Sequence, residues 1–273
     1  MISARQKVLP KSIGIRYQRA VFRNRECLVT GGTGFIGRYV VRCLLWRGAR
    51  VRVFCRSSEK AERLFGGQVE IVRGDLLDGA RTADACRGVS LVLHLGGAYL
   101  FGRRSRQLML AANVRGTENV MHAAWKQRVE KIVHVSSSGI LENFRAPIAE
   151  RDFPAHVSRR QHYRRSKWLA EQAALAWAAR GLPVTIASPS SPLGAEDETP
   201  TPTGRVILDY LRGGFPFAAR TAMNFVDVAE LAGGILAVAE RGRQGERYTL
   251  GHHNLWLAEF LRVLESCAGI PAP

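Results

Sequence analysis

The sequence predicts an α/β fold, a doubly wound parallel sheet of the Rossmann type with a small lobe after it. Three observations carry that reading. Strand-like and helix-like stretches alternate regularly from Cys27 to Ala187. The first strand ends in a glycine-rich turn that opens directly into a helix. After Pro189 the alternation gives way to Pro- and Gly-rich loops. Repeated strand–helix–strand units of this length place helices on both faces of a parallel sheet, joined by right-handed crossovers.

Taken in order, Cys27–Thr30 is a short β-rich run, followed by glycines and a helix over Ile36–Trp46. Val51–Cys55, Val69–Val72 and Leu91–Leu95 read as the next three strands. Long helical patterns lie between about Arg106 and Lys126, and Lys131–Val135 returns to strand. A helix over Gln161–Arg180 precedes the strand Val184–Ala187, so all six core strands come before Pro189. Helices near 205–212, 228–240 and 256–267 form the lobe. The chain divides into a basic tail (1–25), a nucleotide-binding domain (26–189) and a small, apparently truncated substrate lobe (190–273).

With 273 residues and 46% of them hydrophobic, the chain can bury a sizeable core, which argues against disorder. No apolar run approaches the roughly 18 residues that a membrane span needs. The net charge of +17 comes mostly from arginine, with only six lysines among 40 basic residues. Such a surface could meet nucleic acid, anionic lipid or an acidic substrate, or be a solvated face. No helix-turn-helix, RNA-recognition or zinc signature accompanies it, so nucleic acid is not expected. Peripheral contact with an anionic membrane stays open. The five cysteines (Cys27, Cys43, Cys55, Cys86, Cys267) contain no CxxC pair, so neither a disulfide framework nor a metal site follows. A reducing compartment fits them, and the expected location is cytoplasmic. The tail carries Arg5, Lys7, Lys11, Arg16, Arg19, Arg23 and Arg25 without an acid or a continuous apolar segment. That composition suits a loose tail or an organelle transit peptide rather than a secretory signal.

The strongest local motif is Thr30-Gly31-Gly32-Thr33-Gly34-Phe35-Ile36-Gly37, between strand and helix. Gly31 permits the turn, Gly34 lets backbone approach a pyrophosphate, and Gly37 lets helix and strand pack closely. Thr33, Phe35 and Ile36 complete the cradle, where N–H groups of the helix N-terminus meet phosphate. An acid usually follows the second strand to bind the ribose, but this sequence offers Arg56-Ser57-Ser58. A guanidinium there suits a 2′-phosphate and favours NADP, with NAD as the alternative. Asp75 and Leu76 follow the third strand, and Asp75 is a candidate for the adenine amino group or a turn former.

Tyr163-Arg-Arg-Ser-Lys167 places a phenol and an ammonium on one helical face. Lowering a tyrosine pKa by ~3 units takes about 4 kcal/mol, which Lys167 and a positive nicotinamide could supply together. Tyr163 then relays a proton to or from a substrate oxygen. Ser136-Ser137-Ser138 ends the fifth strand, where a hydroxyl can orient a carbonyl. Around Tyr163 lie Arg159, Arg160, Arg164 and Arg165, either a solvated helix face or a lure for an anionic substrate.

Together with EIVRGDLLD at 70–78, ANVRGTENV at 112–120, PTPTGR at 200–205, NFVDVAELA at 224–232 and GERYTLG at 245–251, these motifs carry a family likeness. From about Glu26 to Gly269 the chain resembles the extended short-chain dehydrogenase/reductases. Within them it is most similar to the group shared by dihydroflavonol 4-reductases and NAD-dependent epimerase/dehydratases, and there to the hopanoid-associated sugar epimerases. The resemblance implies a catalytic triad of Ser138, Tyr163 and Lys167, with Ser138 chosen as the last serine of its run. It also implies that Lys167 bonds the nicotinamide ribose, and that Asn113 and the backbone after Pro189 touch the cofactor. The family usually continues well past Pro273, so the substrate pocket is expected to lie open unless a second subunit, as in a homodimer, or a membrane surface closes it. The leading expectation is an NADP-linked oxidoreductase moving hydride between the nicotinamide and a ketone or secondary alcohol of a lipid-, flavonol- or sugar-like small molecule. The alternatives are an NAD-dependent sugar epimerase/dehydratase and a nucleotide-binding assembly protein without catalysis.

Overall fold

The computed structural model describes residues 19–99, 105–141, 150, 152–214 and 217–273. In chain order the strands are β1 (Glu26–Thr30), β2 (Arg50–Cys55), β3 (Glu70–Arg73), β4 (Leu91–His94), β5 (Lys131–Val135), β6 (Val184–Pro189), β7 (Ser191–Leu193), β8 (Ala222–Asp227), β9 (Arg247–Leu250) and β10 (His253–Trp256). The helices are α1 (Phe35–Trp46), α2 (Ser58–Phe65), α3 (Gly79–Cys86), α4 (Ser105–Leu110), α5 (Gly116–Lys126), α6 (His162–Ala179), α7 (Pro202–Leu211), α8 (Val228–Arg241) and α9 (Leu257–Ala268).

Seven strands form a parallel sheet in the order β3-β2-β1-β4-β5-β6-β9. The order reverses between β1 and β4, and open α/β sheets bind ligands beyond the strand C-termini at such a switch point. β4 is buried along its whole length, as expected of a central strand covered on both faces. On one face Val29 packs with Val40, Val41 and Leu44 of α1 and with Leu231, Ile235 and Leu236 of α8. On the other, Leu28, Val92 and Ile132 meet Met121 of α5 and Ala174 and Ala178 of α6. A smaller sheet, β10-β8-β7, lies with α7 and α9 around Tyr210, Phe225, Phe260 and Leu261. Among the described residues no helix is long and apolar enough to cross a membrane.

The structure departs from the sequence reading in three places. The sheet has a seventh strand, β9, which follows Pro189 in sequence, and α8 packs on β5 and β6 beside α1 in the main core. The segment after Pro189 therefore serves both sheets. β9 carries no run of buried apolar residues that would announce a strand. The basic tail is shorter than expected, because Phe22 is fully buried beneath the Arg47 guanidinium and Asn24 N–H bonds Gly48 O. Arg5, Lys7, Lys11 and Arg16 lie outside the described residues. The helical patterns expected between 106 and 126 are joined by a π-helical segment, Ala111–Arg115, which the sequence reading does not include. Such segments re-aim the side chains they carry, and this one carries Asn113.

Candidate active site

At the switch point β1 runs into Gly31, whose φ of +71° only glycine adopts without strain. A Cβ there would also lie 2.7 Å from Gly96 N. At Gly37 a Cβ would sit 2.1 Å from Gly31 O, so helix and turn touch backbone to backbone. α1 begins at Gly34 with no side-chain cap and no acid in its first turn. Its first N–H groups are thus open to an anion, and the cradle fits a pyrophosphate with Thr33, Phe35 and Ile36 half-exposed along it.

Arg56 stands exposed just beyond β2, with no hydrogen-bond or ion-pair partner among the described residues. Asp75 accepts Leu77 N–H at 2.9 Å, the turn-forming role, while its carboxylate stays exposed. Leu76 fills the gap between Gly96 and Gly116, and its carbonyl is held by Asn119 at 2.7 Å. Pro189 closes β6, flanked by the buried, unbonded hydroxyls of Ser188 and Ser190.

A hydrogen-bond chain links this end to the chemistry. Gly96 N–H donates to Thr30 Oγ1 at 3.0 Å, and Thr30 Oγ1 meets His94 Nδ1 at 2.7 Å. His94 Nε2 meets Thr117 Oγ1 at 3.0 Å, and Thr117 donates to Asn113 O at 2.6 Å. With Thr117's proton spent on Asn113, His94 must donate from Nε2 and accept at Nδ1. The Asn113 amide is held by protein partners on both of its polar atoms. Its Oδ1 accepts Ala98 N–H at 2.6 Å, and its Nδ2 donates to Ala98 O at 3.0 Å and Ser166 Oγ at 2.8 Å. Ser166 in turn donates to Tyr163 O at 2.7 Å. Asn113 therefore ties the strand after β4 to the first turn of α6.

Tyr163 stands in that first turn, its ring edge-on to Tyr99 with centroids 4.4 Å apart. Of the three serines, Ser137 is the one whose hydroxyl lies close enough to pull the Tyr163 phenol down. Ser138, the expected member of the triad, opens a 3₁₀ turn and makes no bond to Tyr163 among the described residues. The cause is local. Ser137 is extended and caps that turn, so the chain swings away at the next residue. Lys167 lies one helical turn further and is 9% exposed, with Nζ donating to Val135 O at 2.7 Å. Burial, and then Tyr99, push the Tyr163 phenol up to about 12, against the pull of Ser137. The lowered phenol expected from sequence counts on Lys167 and a positive nicotinamide acting together, and it must overcome this burial. Of the neighbouring arginines, Arg159 and Arg160 are exposed, while Arg164 clips Gln161 and Ile140 O.

A family model for the NAD-dependent epimerases and dehydratases matches residues 27–251, most of the chain. The chain belongs to that family. It is 36% identical to a Synechocystis sp. protein provisionally named dihydroflavonol 4-reductase, covering 90% of this chain and 73% of the relative. A nucleoside-diphosphate-sugar epimerase from Pseudomonas aeruginosa is 30% identical in its solved structure, with a TM-score of 0.80 over 91% of this chain and 79% of that one. MoeE5, solved in complex with UDP-glucose and NAD, is 26% identical with a TM-score of 0.75, over 90% of this chain and 83% of its own. This epimerase/dehydratase-family chain is accordingly an NAD(P)-binding enzyme that acts on a small molecule.

The site of this family member holds residues that the sequence reading passed over. His94 and His134 lie side by side with ring centroids 5.3 Å apart, both driven far below the usual histidine range by burial and then by Lys167. A histidine inside the apolar run Leu91–Leu95 was the available signal. Glu171 is fully buried against Arg247, which arrives from β9. Glu171 stands four residues after Lys167 and could have been found by helical spacing, whereas nothing local in the sequence points to Arg247.

Proposed function

We propose that the protein oxidises a secondary carbinol of a sugar-like substrate and returns hydride to the same molecule, in the manner of an epimerase or dehydratase. Support comes first from one observation: Tyr163, with Ser137 beside it, stands at the end of α6 that faces the switch point, and Lys167 is fixed one turn behind it. A nicotinamide nucleotide bound over the Gly31–Gly37 turn supplies the hydride acceptor and, once reduced, the donor. Tyr163, as the phenolate that Lys167 and a bound positive nicotinamide would stabilise together, takes the hydroxyl proton of the substrate as the carbinol carbon loses hydride, and gives it back on return. The carbonyl oxygen then stays within a hydrogen bond of the phenol. Lys167 holds positive charge near that phenol. Ser137 orients the phenol, and the Ser138 hydroxyl is left for the substrate. The relatives bound to or named for nucleotide sugars support a sugar-like substrate.

A second reading is net reduction of a ketone with NADPH, and the unpartnered Arg56 favours it. One experiment separates the two. The purified protein is given nucleotide sugars, and ketones with NADPH, while absorbance at 340 nm and product stereochemistry are followed. The first reading expects inverted or dehydrated sugar without net change at 340 nm. Stoichiometric loss of NADPH absorbance with a ketone would replace it by the second, and turnover of neither class would remove both.

A further inference from the structure

Lys167 is enclosed on every side. From its own helix it faces Tyr163 one turn before and Glu171 one turn after. From β5 it faces His134 and Ser136, and its Nζ donates to Val135 O. From β4 comes His94, and Arg247 of β9 stands behind Glu171. Asn113 and Ser166 contribute neutral groups. Both histidines are neutral across the physiological range, so Glu171 is the acid whose charge acts on Lys167 among the described residues.

Glu171 is itself buried, and a lone carboxylate there would take up a proton. Burial raises Glu171 above the usual carboxylate range, and Arg247 is the strongest influence pulling it back down. Its Nε donates to Glu171 Oε1 at 2.6 Å, and its Nη2 bonds the same oxygen. Arg247 is anchored in turn, 4.3 Å from the Phe153 ring centroid and donating from Nη1 to Glu150 O at 2.6 Å. The second carboxylate oxygen of Glu171 has no well-aligned hydrogen bond, although the Ser136 hydroxyl lies beside it. Arg247 thus fixes one oxygen and leaves the carboxylate's charge available one helical turn from Lys167.

We propose that Glu171, kept ionised by Arg247, is a positioning residue that holds Lys167 as an ammonium beneath Tyr163. The proposal rests on the reading of Tyr163 and Lys167 as the proton-relay pair. Burial brings Lys167 down to about 8 and Glu171 raises it, so its charge is poised close to working pH.

The test reads Lys167 directly. The chain has six lysines, so ¹³Cε-lysine NMR resolves few signals, and Lys167→Met identifies the one that matters. Glu171→Gln alone leaves a buried guanidinium unpaired and threatens the fold. The double variant E171Q/R247M removes both charges and keeps the protein neutral there. In either variant the Lys167 midpoint should fall by about one pH unit or more, a tenfold change in the ammonium equilibrium. The high-pH limb of kcat/KM should move acid by the same amount. A wild-type midpoint well below working pH, with Lys167 neutral, would overturn the proposal before any variant is made. So would an unshifted midpoint in either folded variant, or a double variant that regains the wild-type midpoint, the mark of a merely structural pair. The NMR reading needs no substrate, so it stands even if the proposed reaction is replaced by another.

Discussion

The two ends of the site share one edge of the sheet but are made of different material. At the nucleotide end the contacts are backbone. Gly31 and Gly37 are defined by the side chains they lack, and Arg56 and Asp75 stand in water. At the Tyr163 end the work falls to side chains in a dry interior, where Tyr163, Lys167, His94 and His134 all leave their ordinary titration ranges, with burial the largest cause in each case. Binding of the nucleotide thus depends on shape, and chemistry depends on the balance of buried charge. Substitutions should separate these two dependences.

The largest separation is expected from Tyr163→Phe. The ring keeps its edge-on packing against Tyr99, while the only oxygen that can relay the proton is gone. Turnover should all but vanish, with nucleotide affinity by calorimetry close to wild type. A variant that kept more than about a tenth of the rate, a barrier change below ~1.4 kcal/mol, would break the division between the two ends.

Arg56→Ala probes the opposite end with a smaller effect. A charge-assisted contact to a 2′-phosphate contributes about 1.5–3 kcal/mol, so NADP binding should weaken roughly tenfold or more. NAD binding should hardly change, and calorimetry with both nucleotides reads the difference. Equal losses would mean that Arg56 shapes the turn rather than reading the phosphate.

The same contrast explains what the sequence revealed. The nucleotide end was legible because its determinants are local, eight residues between a strand and a helix, and because glycine at a fixed spacing has few other uses. Tyr163 and Lys167 were legible for the same reason, being one helical turn apart. Which serine of the run faces the tyrosine was less legible, since it depends on where the extended chain passes into a 3₁₀ turn. Asn113 was found by its motif, but the bonds its amide makes to Ala98 and Ser166 were not, because they join residues far apart in the chain. The charge balance beneath Lys167 was not legible. His94, His134, Glu171 and Arg247 come from four elements, and only the order of the sheet brings β9 beside β6. The same non-local pairing hid the seventh strand.

The smallest effect concerns the pair of neutral histidines. His134 has both ring nitrogens buried without a hydrogen bond, while His94 uses both of its own. Each folded-state pKa lies below the unfolded value of about 6.5, with His94 at about 3. Below pH ~6.5 the unfolded chain takes up protons that the folded chain refuses. The stability the neutral rings contribute is therefore complete above that pH and is lost as pH falls toward the folded values. Each ring should add about 1.4 kcal/mol of lost stability per pH unit across that window. His134→Leu removes one of the two rings, and it breaks no hydrogen bond while replacing unsatisfied polar atoms with apolar ones, which is close to neutral or stabilising. At pH 7 urea unfolding should place the variant at or slightly above wild type. Between pH 6 and pH 5 its stability should fall less steeply, by about 1.4 kcal/mol per unit. An unchanged slope would show that His134 carries a proton in the folded protein. A positive ring beside Lys167 would then make the Tyr163 end far more highly charged than its buried geometry implies.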